Sequence, residues 1–145
     1  MPNASELAQD RLAYFPHDSN ASNDIKCQRL IRRLGWSGYG RWWRVCELLA
    51  SNKGHVIPFS TEEDKLILGD VLQFGGGSNF CELLCIEEVT AFVDQLLSIG
   101  LLQTDENGCL ENPRMHENAL SFGKKRAAGR KGGRPRKNPQ PNQNA

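Results

Sequence analysis

A chain of 145 residues with a formal net charge of +1 has room for one ordinary hydrophobic core and some appendages. The balance conceals a division: residues 1–122 hold 10 Lys/Arg against 17 Asp/Glu, whereas residues 123–145 hold 8 Lys/Arg and no acid, the pattern of an interaction tail for nucleic acid or another acidic surface. No run of 18 apolar residues occurs, and Met1 to Glu6 form no basic-then-apolar leader, so neither a membrane span nor secretion is expected; five dispersed cysteines fit a reducing cytoplasm.

Residues 1–11 are polar and read as a flexible N-terminus, residues 12–122 as the folded domain, and residues 123–145 as a disordered basic tail. Leu12 to Phe15, stopped by Pro16, read as a short docked strand or extended arm. Ser22 or Asn23 is placed to cap a first helix on which Ile25, Leu30, Ile31 and Leu34 roughly keep the helical period, with Gly35 as its stop. A second helix is expected from about Gly38 to Asn52, with Trp42, Val45, Cys46, Leu48 and Leu49 facing inward. His55 to Phe59, which include Pro58, read as an edge strand.

Ser60, with Glu63 three residues on, predicts a capping box for a third helix carrying Leu66, Ile67, Val71, Leu72 and Phe74 into the break at Gly75–Gly77. A fourth helix from about Ile86 to Ser98 presents Val89, Phe92, Val93, Leu96 and Leu97, and Gly100 ends it. Leu101–Thr104 and Cys109–Glu111 flank Asn107-Gly108, a dipeptide favoured in hairpin turns. A last helix from about Pro113 to Arg126 is followed by residues with too little apolar surface to offset the entropy of ordering. This order predicts a mainly α fold, a winged helix-turn-helix with a small β-hairpin wing and a disordered basic tail; the competing expectation is an unrelated small α+β bundle.

The stretch from Tyr14-Phe-Pro-His-Asp through Leu34-Gly-Trp-Ser-Gly-Tyr-Gly-Arg-Trp-Trp to Glu47 resembles a bacteriophage replication-protein family. Its N-terminal domain, similar to the winged-helix domain of DnaD-like replisome organisers, opens with an aromatic-x-His-Asp element and contains a Gly-Trp-x-Gly-Tyr-Gly turn. The resemblance covers roughly residues 12 to 120, with its specific motifs in the first third. It implies a helper of replication initiation that binds DNA or bridges DNA and another replication protein, with no catalytic activity. By the same resemblance, longer members of the family carry a second domain where this chain stops after its basic tail.

Arg29, Arg32 and Arg33 fall within little more than a helical turn, and Arg41 and Arg44 follow on the next helix. Five planar guanidinium groups suit phosphate; the opposing reading is a solvated face with local ion pairs to Asp24 or Glu47. The helix in the usual recognition position carries Glu87, Glu88 and Asp94 without a cation, and the wing carries Asp105, Glu106 and Glu111, a surface that phosphate repels. In the tail, Lys124, Lys125, Arg126, Arg130, Lys131, Arg134, Arg136 and Lys137 are candidate phosphate ligands. The segment Gly132-Gly-Arg-Pro-Arg-Lys resembles an AT-hook core, in which an extended Gly-Arg-Pro lies in a narrow minor groove, although Gly132 stands where that motif has Arg or Pro; a generic polycation is the alternative.

Trp36, Tyr39, Trp42 and Trp43 either stack bases or pack the core, and packing is favoured. Cys81, Cys85, Cys109 and His116 lack the spacing of a zinc site, so buried thiols are the preferred reading. His17-Asp18 has no accompanying nucleophile and is read as fixing the first turn. No phosphate loop is present, since Ser78-Asn79 follow the three glycines.

The expected protein is therefore a cytoplasmic, non-catalytic DNA-binding accessory of phage replication, without cofactor or metal. Its expected partners are DNA and a replication protein or a second copy. The alternatives are a protein-interaction module and a transcriptional regulator, the latter requiring a basic recognition helix.

Overall fold

The computed structural model describes residues 3–131. Asn3 caps a single-turn helix α1 (Ala4–Leu7) through a reciprocal capping box with Glu6, and Leu7 is buried. The N-terminus is thus docked, contrary to the expectation of a flexible segment. Residues 12–15 form no strand; Leu12 donates one backbone hydrogen bond to Ala50 (2.8 Å), and Leu12 and Phe15 pack individually against the core. Pro16 has no N–H, and no neighbouring edge is offered to this segment, so no ladder extends.

A 3₁₀ turn (Ala21–Asn23) delivers Asp24, whose carboxylate accepts from the N–H groups of Lys26 and Cys27 and caps α2 (Ile25–Ser51). The cap lies one residue beyond Asn23 and two beyond Ser22, the positions expected for it. The two expected helices follow one another without a loop, because the whole change of direction is absorbed at Gly35 (φ 70°, ψ −171°), a conformation only glycine adopts cheaply. A Cβ at Gly38 would lie 2.4 Å from the Cβ of Leu34, so the second glycine of the turn makes room for that side chain. Leu30 of the first segment and Trp42, Val45, Cys46 and Leu49 of the second enter the same core.

Strand β1 (Val56–Pro58) leads to α3 (Glu62–Val71). Thr61 and Asp64, rather than Ser60 and Glu63, form the capping box, because the Asp64 carboxylate gathers the N–H groups of both Ser60 and Thr61. Leu68 and Leu72 are buried, while Ile67 turns out to solvent. After the break at Gly75–Gly77 and a 3₁₀ turn (Gly77–Asn79), α4 spans Glu82–Ile99, beginning four residues earlier than the apolar period predicts. Leu83 and Leu84, exposed in its first turn, hide that start from a pattern search. Gly100 terminates α4 in the left-handed conformation, its N–H directed at the carbonyls of Leu96 and Leu97.

Strands β2 (Gln103–Thr104) and β3 (Cys109–Glu111) make the expected hairpin. Asp105 accepts from the N–H groups of Asn107 and Cys109, and Gly108 takes φ 78°. The sheet order is β1-β3-β2, antiparallel throughout, with Ile57 opposite Leu110; both are buried, so this pair fixes which face meets the helices. Asn112 caps α5 (Pro113–Lys131) by accepting from Arg114 and Met115. The helix runs past the expected end at Arg126, so residues 127–131 are helical where a disordered tail was expected. Ala119 is buried where α1 crosses α5, and a Cβ on Gly123 would stand 2.4 Å from the Ala4 carbonyl oxygen. Gly123, which lies inside the expected last helix, is the close-approach point between α5 and α1. The result is a mainly helical fold with a small three-stranded antiparallel sheet, and among the described residues no helix is long and apolar enough to cross a membrane.

Candidate nucleic-acid interface

Residues 25–46 hold six of the ten Lys/Arg of residues 1–122 and no Asp or Glu. The folded part of the chain is therefore strongly polarised, with cations concentrated on α2 and carboxylates spread over α3, α4 and the hairpin. At 100° per residue, Ile25, Arg29 and Arg32 fall within about 60° of one another and lie opposite Cys27, Leu30 and Leu34. Burial agrees: Cys27 and Leu30 are in the core, whereas Ile25, Arg29 and Arg32 are exposed.

The structure divides the five arginines expected to share one face. Arg29 and Arg32 are exposed and make no hydrogen bond or ion pair with any described residue. Arg33 donates to Gln95 Oε1 (3.0 Å) and Ser98 Oγ (3.3 Å), tying α2 to α4. Arg41 donates from Nε to the Leu72 carbonyl (2.8 Å) and lies 4.0 Å over the Phe74 ring, so it caps the end of α3. Arg44 pairs with Glu47 one turn on (3.1 Å) at an exposed position, a contact worth little in water. Arg41 and Arg44 line a shallow depression of about 260 Å³ with Val71, Leu72 and Gln73. The single broad face therefore reduces to an unpaired pair, Arg29 and Arg32, flanked by three arginines with intramolecular partners. Lys26, not among the expected residues, donates to the Gly100 carbonyl (3.2 Å) and closes the end of α4.

Lys124, Lys125 and Arg126 sit on α5 and are exposed. Arg126 pairs with Asp10 (3.3 Å), holding the residues after α1, and the Lys125 ammonium lies 5.9 Å from the Phe122 ring centre. Arg130 and Lys131 occupy the last turn. Arg134, Arg136 and Lys137, with the Gly-Arg-Pro segment, lie outside the described residues.

The aromatic motif residues are brought together. The His17 ring stacks on Trp43 at 3.7 Å and the Phe15 ring at 5.9 Å, while Tyr39 meets Trp43 edge-on at 6.1 Å and Trp36 meets Tyr39 edge-on at 5.7 Å. Trp42 is buried and Trp43 half-buried, as packing requires, but Trp36 is 68 % exposed. Helical phase alone does not reveal this, because Gly35 resets the phase one residue earlier. Asp18 pairs with Arg114 (3.4 Å) at the edge of a cleft of about 430 Å³ between the arm, α2 and α5. None of the expected phosphate ligands lines it.

Among the described residues no three His, Cys, Asp or Glu side chains come together to hold a metal ion. Cys27, Cys46 and Cys85 are buried thiols, whereas Cys81 is exposed and Cys109 half-buried, against the expectation that both would be buried. Burial pushes the Cys27 and Cys46 thiols up from their ordinary value, which keeps them protonated and unreactive.

A family model described as Lin1244/Lin1753-like, N-terminal, matches residues 14–110. The match begins at the aromatic arm, includes α2 with Gly35, and ends inside β3. No curated protein and no solved structure gives a significant match.

Proposed function

The chain belongs to the Lin1244/Lin1753-like N-terminal family, and on that premise we propose that it is a non-catalytic DNA-binding accessory of phage or prophage replication initiation. In this reading Arg29, Arg32 and the basic C-terminal residues hold phosphates while the acidic remainder meets a protein partner. The observation that carries it is the pair of exposed, unpartnered guanidinium groups in a stretch free of carboxylates, since such groups gain most from an external anion. The winged-helix part of the proposal is supported by the order of α2, β1, α3, α4 and the β2–β3 hairpin, with β1 beside β3. The helix in the recognition position, α4, carries Glu82, Glu87, Glu88 and Asp94 and no cation, so DNA is assigned to the α2 side. A transcriptional regulator that reads the major groove through α4 is disfavoured on the same ground.

The test is anisotropy binding of the full chain to labelled DNA over a salt series. Binding should weaken steeply with salt, and replacing Arg29 and Arg32 by alanine should reduce the log-log slope by about one per lost phosphate contact. Absence of binding at low salt sinks the proposal. It would then favour a protein-interaction module, for which Phe80, Leu83 and Leu84, exposed beside Glu82 and Glu87, supply a mixed apolar and acidic surface.

A further inference from the structure

An indole two-thirds open to water is an unusual use of the largest apolar side chain, and Trp36 is held in that position. It follows Gly35, whose left-handed conformation sets the direction in which the second segment of α2 departs. Its ring rests edge-on against Tyr39, which rests against Trp43, itself stacked on His17. The exposed ring is thus the outermost member of a chain of aromatic contacts reaching the core. Arg32 and Arg29 precede it by four and seven residues on the other side of the Gly35 kink, close enough along the chain for one strand to reach all three, and neither guanidinium has an intramolecular partner among the described residues.

We propose that Arg29, Arg32 and Trp36 form a platform for single-stranded nucleic acid, with Trp36 stacking on one unpaired base and the two arginines holding the adjoining phosphates. This rests on the DNA-binding reading above and specifies the strand form. A duplex offers guanidinium groups its phosphates but keeps its base faces stacked inside, so an oriented indole gains nothing there without unstacking a step. A single strand presents both chemistries at once, and every base has a π-face for an aromatic ring. A protein partner would also accept an exposed tryptophan, but the segment that carries it favours a polyanion: from Ile25 to Cys46 the chain holds six cations and no carboxylate.

The experiment compares the full-length wild type with Trp36→Ala, Trp36→Phe and Arg29→Ala/Arg32→Ala on a labelled thymidine 20-mer and a 20-base-pair duplex of mixed sequence, with thermal melting to verify the fold. Trp36→Ala is expected to weaken binding to the single strand about 5- to 150-fold, the range of one base-stacking contact, and to leave duplex binding within about twofold. Trp36→Phe should recover much of the loss, and the thymidine strand should quench the wild-type tryptophan emission. The double arginine variant should weaken binding to both forms. If Trp36→Ala leaves both affinities unchanged, or lowers them equally, the platform is refuted while the DNA-binding reading survives. If the wild type binds neither DNA, both fail, and the exposed indole belongs to a protein contact.

Discussion

The His17 ring lies 3.7 Å from that of Trp43 and within 10° of parallel, so the arm is held on α2 by a stacked pair rather than by a strand ladder. Replacing His17 by alanine should remove about 1 kcal/mol, the usual worth of an aromatic pair beyond its buried area, and expose the Trp43 ring. Denaturant unfolding and the emission maximum check it; unchanged values for both would mean that the arm is held elsewhere.

Arg41 should prove to be a stability residue. Its hydrogen bond to the Leu72 carbonyl and its position over Phe74 predict that Arg41→Ala costs about 2–3 kcal/mol, the range of a hydrogen bond made by a charged group plus a cation–π contact. Lysine should not restore it, because an ammonium cannot lie flat over the Phe74 ring while donating to the Leu72 carbonyl. The DNA affinity of the folded variant should stay within about twofold of wild type, in contrast to Arg29→Ala/Arg32→Ala, and a larger loss for Arg41→Ala would return this residue to the phosphate face.

Gly123 is the contact between the two flanks of the family-matched region. A side chain there meets the Ala4 carbonyl and the Ala8 N–H, so Gly123→Val should undock α1 at a cost of about 1–3 kcal/mol, as overpacking does. Amide exchange should rise in residues 4–10 while the core amides of α4 stay protected. Equal protection in variant and wild type would refute the contact.

Much of this architecture was legible from local chemistry. Gly35 and Gly100 mark helix ends, Asn107-Gly108 marks the hairpin, and Val89, Phe92, Val93 and Leu96 mark the buried face of α4, because each of these signals is complete within a few residues. What the sequence leaves hidden depends on distant partners. Arg41 looks like a phosphate ligand until Leu72 is placed beside it, and nothing near Gly123 in the sequence marks it as the point where α1 docks. For the candidate site the same division holds: the arginine cluster was visible, but which two members stay unpaired, and that Trp36 rather than Trp42 or Trp43 faces outward, follows only from tertiary packing.

His55 makes stability depend on pH. The ring is 1 % exposed, and its Nε2 lies 2.8 Å from the Asp10 carbonyl oxygen, to which the neutral ring donates. Burial first, and then the neighbouring His116, lower its pKa below the ordinary 6.5. The unfolded chain then binds more protons than the native one between the two values, so stability is full above the unfolded value and is lost as pH falls below about 6.5. Denaturant midpoints between pH 7.5 and pH 5.5 should decline for the wild type and decline less for His55→Asn, which keeps a residue tolerant of the left-handed backbone found there (φ 55°). Parallel curves would assign the decline to other groups.

The continuation of α5 through Lys131 changes what a basic run means. Successive residues on a helix turn by about 100°, so Lys124 and Arg126 leave the axis about 160° apart, with Arg126 directed to Asp10 and Lys124 to another side. Three consecutive cations that would alternate along an extended strand are distributed around a cylinder, and no single phosphate backbone passing along one side meets them all. The block of charge visible in the sequence is, over these residues, a collar.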